Sequence, residues 1–161
     1  MKKYVLTLLI TLAAMPLFAQ RTPHALGVHL GGSTFDVEYQ YHFNKKNFFD
    51  ITVGAFDIKY GFMIQGTYNW TIKEFEDWTP DFATWKVWGG VGVGIGGYDT
   101  DDRSGLVLGP TADFGFGFTF NAVPITLGVD YRPMVAIALG THSGLIDNGF
   151  FNLGVTATYR F

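Results

Sequence analysis

Apolar and polar residues alternate with a period of two along most of this chain. In TFDVEYQYHF, Phe35, Val37, Tyr39, Tyr41 and Phe43 share one side, and Asp36, Glu38, Gln40 and His42 share the other. A β-strand with one face in each kind of environment has this pattern. The same alternation predicts strands in ALGVHLGG, FFDITVGAF, FMIQGTYNW, WKVWGGVGVGIGG, PTADFGFGFTF, ITLGVDYRPMV and the closing NLGVTATYRF. Turn residues separate them: Gly32 and Ser33 between the first two, Asn44 to Asn47 after the second, Asp57 to Tyr60 after the third, and NAVP before the seventh. TIKEFEDWTPDFAT reads as the longest irregular connection, and YDTDDRSG and GTHSGLIDNG read as loops. The expected fold is all-β, a single eight-stranded antiparallel up-and-down barrel with both ends on one side.

Alternation alone does not distinguish a membrane barrel from a water-soluble one. The polar faces do, because they are Gly, Thr and Asn with a few charges, whereas a water-facing exterior would be dense in Lys and Glu. Such faces suit a narrow lumen. The aromatic residues on the apolar faces gather at strand ends. Tyr41, Phe43, Phe49, Tyr68, Trp70, Trp85, Phe118, Phe120, Tyr159 and Phe161 are expected near the rim holding both termini, as a membrane-interface girdle.

The first residues supply a compartment. Lys2 and Lys3 precede an apolar stretch from about Tyr4 to Ala14, with Pro16 and the small residue Ala19 behind it, which predicts a cleaved signal peptide over 1–19 and a barrel over 20–161. The apolar run is shorter than the ~18 to 20 residues of a spanning helix. Removing 19 of the 161 residues leaves 142, enough for one domain, with 9 basic against 14 acidic residues. This balance argues against a nucleic-acid partner. With no cysteine, no disulfide framework is available. Charged residues make up only 16%, below the roughly 25% of soluble domains. The expected location is the bacterial outer membrane.

The closing residues resemble the C-terminal assembly signal of Gram-negative outer-membrane barrels: Leu153, Val155, Ala157, Tyr159 and a final Phe161 on one face. From about Ala25 to Phe161 the chain is also similar to a family of small outer-membrane β-barrel, porin-like proteins. HLGGSTFDVEYQYHF, MIQGTYNW, VPITLGVDYRP and the last YRF carry the resemblance, and the Val-Pro-Ile strand with Asp130, Arg132 and Pro133 is its most specific piece. The resemblance implies a fold, a location, outer-membrane lipids including lipopolysaccharide as partners, and the barrel-assembly machinery during biogenesis. It implies no chemistry.

If the polar faces line the lumen, Asp36, Glu38, Lys86, Asp113, Asp130, Arg132 and Arg160 share it. Opposite charges confined there should pair, because isolated buried charges are costly. They would form a plug or a selectivity filter; eight strands leave an interior only just filled by side chains, which favours the plug. Gly90, Gly92, Gly94 and Gly96 recur every second residue within a strand and open no helix, so they relieve crowding and do not form a phosphate loop. His142 beside Ser143 suggests a lipid hydrolase, but neighbours on a strand point to opposite faces, and a nucleophile needs its base within ~3 Å. Asp99, Asp101 and Asp102 lack the Gly and distal Glu of a calcium loop. His24, His29, His42 and His142 lie on different elements and support no metal site. No cofactor and no catalysis are expected. A structural or envelope role comes first, a narrow passive channel for water, ions or small solutes second, and a lipid-modifying enzyme third.

Overall fold

The computed structural model describes residues 23–32, 34–56, 61–78, 81–100, 103–140, 144–146 and 150–161. The expected signal peptide, His142, Ser143, Asp101 and Asp102 lie outside the described residues. Ten strands form one antiparallel sheet: β1 (His24–Gly31), β2 (Thr34–His42), β3 (Asn47–Phe56), β4 (Gly61–Phe75), β5 (Ala83–Thr100), β6 (Arg103–Phe120), β7 (Ile125–Tyr131), β8 (Ala136–Gly140), β9 (Gly144–Ile146) and β10 (Leu153–Arg160). Each of β1 to β6 pairs with the next. β6 then pairs with both β7 and β8, β10 pairs with β7, and β9 with β8. β7 with β8, and β9 with β10, are therefore two halves of single staves. The eighth stave closes on the first through Ala25↔Arg160 to Gly31↔Gly154, and the Phe161 amide donates to the His24 carbonyl at 3.0 Å. The result is a closed eight-stranded barrel.

Two prolines divide the seventh stave. Pro133 has no N–H to give the ladder, and Pro110 stands near it on β6. The ladder is carried across by their carbonyls: Ala112 N donates to Pro133 O and Val135 N to Pro110 O, each at 3.0 Å. One isolated bridge, Thr111↔Met134, joins the halves. The single strand expected over ITLGVDYRPMV thus stops at Tyr131 and resumes at Ala136. Three further boundaries differ from the sequence reading. β4 runs on through Thr71 to Phe75, with a bulge between Thr71 and Lys73, and pairs with Trp85 to Trp88. The β5–β6 hairpin continues to Thr100↔Arg103, and β9 occupies part of the expected last loop. Charged residues in the first two of these stretches suppress the apolar signal, yet the neighbouring strand still offers a ladder to complete.

Polarity runs inside out. Val93 is 69% exposed, Leu153 67% and Val37 54%, while His29, Glu38 and Asn69 are fully buried. Soluble monomers rarely show a continuous apolar exterior of this extent. At the end of the lumen where the β3–β4 ladder finishes at Phe56↔Gly61, Met63, Val107, Met134 and Ala136 form a small apolar cluster with Tyr98 against it. Gly94 makes room for it, since a Cβ there would meet Met134 Sδ at 2.9 Å.

Candidate functional site: a buried charge network

The pairing of β1 with β2 sets His29 opposite Asp36. His29 Nδ1 lies 3.0 Å from Asp36 Oδ2, and Thr34 donates its hydroxyl to the same oxygen at 2.6 Å. On its other side His29 Nε2 is 2.9 Å from Asp130 Oδ1. The imidazole thus stands between two carboxylates on different strands.

Asp130 leads to Arg132, two residues along the same inward face. Arg132 donates from Nε to Asp130 Oδ2 at 3.0 Å and from Nη2 to Glu38 Oε2 at 3.1 Å, and Nη2 lies 2.8 Å from Asp130 Oδ2 as an ion pair. Asp50, at 3.8 Å, and Asp113, at 3.9 Å, complete a set of four carboxylates around one guanidinium. Arginine suits this position because its planar fork offers five N–H donors and stays charged. Glu38 is satisfied further by Thr156, which donates at 2.9 Å, and by the Gln40 amide, which also donates to Asp50 at 3.2 Å. Trp88 Nε1 donates to Asp113 Oδ2 at 3.3 Å.

Five of the seven expected lumen residues meet here: Asp36, Glu38, Asp113, Asp130 and Arg132. The other two are Lys86 and Arg160. Both line a cavity of about 940 Å³ at the end carrying the termini. Lys86 has no ion pair among the described residues; its ammonium lies 5.4 Å from the Trp88 ring and 5.9 Å from the Phe48 ring. Sequence reasoning omitted His29, Asp50 and Trp88 from the network. Each has the parity of its lumen-facing neighbours, so alternation permitted them without pairing them. Among the described residues, no group of three or more His, Asp or Glu is placed to hold a metal ion.

Trp88 is accommodated by absent side chains. A Cβ on Gly115 would overlap its indole, and one on Gly128 would come within 2.8 Å of it. Replacing Trp88 by Phe keeps the ring bulk and removes the N–H. The expected loss is about 1 to 2 kcal/mol, toward the low end because 3.3 Å is long for such a bond. The shift in urea midpoint of the refolded protein measures it.

On the outside, the expected aromatic residues line the end carrying the termini in two arcs. Phe161, His24, Tyr41, Phe43, Tyr68 and Trp70 form a chain of ring contacts with centroids 5.1 to 6.4 Å apart. Trp85, Phe118 and Phe120 continue the ring, joined by Phe75, Trp78, Phe82 and Phe116. Phe49 packs over Gly66, and Tyr159 is half-buried on β10. Of the residues read as an assembly signal, Leu153, Val155 and Phe161 are exposed, and Ala157 and Tyr159 half-buried.

No protein-family model matches the chain, and no curated protein matches it. Among solved structures, it is similar to the crystal structure of the N-terminal β-barrel domain of OprF from Pseudomonas aeruginosa, with a TM-score of 0.55 and 11% identity. The match covers 88% of this chain and 100% of that domain. At that identity the likeness is one of backbone path: this chain has the closed, eight-stranded antiparallel fold of the small outer-membrane barrels.

Proposed function

We propose that the protein is an integral outer-membrane β-barrel with a structural or envelope-related role and no turnover, its lumen plugged by the charge network. The observation that carries this reading is the exchange of polarity: an arginine ringed by four buried carboxylates inside, and Val, Leu, Ile and Phe outside. Hydrocarbon is the solvent that such an exterior fits, and a closed barrel leaves no unpaired strand edge in it. The aromatic ring would then mark the headgroup layer on the periplasmic side. Lipids, lipopolysaccharide among them, would be the exterior partners, and Leu153 to Phe161 the segment read by the assembly machinery.

Refolding into detergent followed by planar-bilayer recording tests the reading. Heat-modifiable gel migration with no unitary current is the expected result. A narrow passive channel is the second reading, favoured by the cavity open at one end and by Asp50 Oδ1 and Asn69 Oδ1, buried oxygens with no hydrogen-bond partner among the described residues. Steady unitary current that changes with Arg132→Gln would replace the plug by that channel.

A further inference from the structure

The cavity at the end carrying the termini has chemistry that the plug does not use. It is lined by Lys86, Arg160 and His42 and by Thr84, Thr126 and Thr158. His42 stacks on Phe48 at 5.0 Å, the same ring that Lys86 approaches, so the two side chains converge on one aromatic support. Lys86 is half-buried and without an ion pair among the described residues, although five carboxylates lie in the lumen beyond it. Ring faces return only part of what an ammonium loses on leaving water. Lys86 also lines the cavity, where an anionic ligand would supply the rest.

We propose that this vestibule is a binding site for a small phosphate- or carboxylate-bearing anion, held by Lys86 and Arg160, with threonine hydroxyls as neutral donors. Charge-assisted hydrogen bonds from ammonium and guanidinium are the strong contacts such groups make. Glu74 and Glu76 line the same cavity together with Lys45. Cations and carboxylates are therefore interspersed around it, which suits a compact anion and disfavours an extended polyanion. Gln40 lines the cavity and donates to Glu38, linking the site to the charge network. The inference rests on the barrel fold and stands whether or not the lumen conducts.

The test is phosphorus NMR of inorganic phosphate titrated into the refolded full barrel in a neutral, phosphate-free detergent. A second arm adds short-chain phosphatidylglycerol, with inorganic phosphate as competitor. Saturable broadening of the phosphate line, weakened about tenfold in Lys86→Met and unchanged in Lys73→Ala, is expected; Lys73 is exposed and lies outside the cavity. Competition in the second arm identifies a soluble anion as the ligand, and binding of the lipid alone identifies a headgroup. Arg160→Gln gives a second variant should Lys86→Met lose heat-modifiable migration. No saturable binding in either arm overturns the proposal, as does binding that folded Lys86→Met and Arg160→Gln both leave unchanged.

Discussion

Replacing Arg132 by Met is expected to cost roughly 3 to 5 kcal/mol of folding stability, because it strands the carboxylates of Glu38, Asp50, Asp113 and Asp130 in the interior without their shared cation. The variant keeps most of the side-chain volume, so a cavity explains little of the loss. Urea unfolding of the protein in lipid vesicles, followed by tryptophan fluorescence, gives the number. Asp130→Asn should cost less, since Arg132 keeps three acidic neighbours and the amide oxygen still accepts a hydrogen bond. The ordering matters as much as the size. Were Arg132→Met to cost under about 1 kcal/mol, as exposed pairs do, the four acids would have water to turn to. The lumen would then be wet, and the channel reading would take precedence over the plug.

The network also shows which information alternation carries and which it does not. Parity assigned Asp36, Glu38, Asp113, Asp130 and Arg132 to one interior, and they meet there. Pairing requires register, which parity leaves open. The sequence held that register for one hairpin: the two-residue turn expected over Gly32 and Ser33 would set His29 against Asp36, the pair observed. Asp50 shares its face with Thr52 and faces Gln40 across the β2–β3 hairpin, but the longer polar turn left its partner open. Lys86 shows the opposite failure. Its parity is that of the lumen, but it stands nearer the end carrying the termini, among aromatic rings, and axial position along a tilted strand is not encoded in a period of two. Trp88 was legible as an inward aromatic; that Gly115 and Gly128 were the space kept for it depends on contacts across strands. The divided seventh stave was marked by Pro133. The second proline, Pro110, faces the same break from a strand with unbroken alternation, so only the paired structure shows that the two occur together.

Placing a charge on the outer face separates a lipid-facing barrel from a water-facing one more sharply than any change inside. Val93 is the clearest position: it lies near the middle of β5, pairs with Gly66 and Pro110 on either side, and is 69% exposed. In a bilayer Val93→Arg is expected to cost roughly 2 to 4 kcal/mol, the range for a cation at the midplane of a transmembrane barrel. The same substitution at Phe161 or Tyr41, in the aromatic ring, should cost no more than about 1 kcal/mol from the charge itself, because the headgroup layer hydrates it. Vesicle-based urea titrations of Val93→Arg and Tyr41→Arg compare the two depths directly. A cost that falls from the middle of β5 toward the aromatic ring would support the membrane reading with no assumption about the lumen. A change within about 0.5 kcal/mol at Val93, as for ordinary surface substitutions, would mean that this face meets water. The apolar exterior would then need a protein partner to cover it.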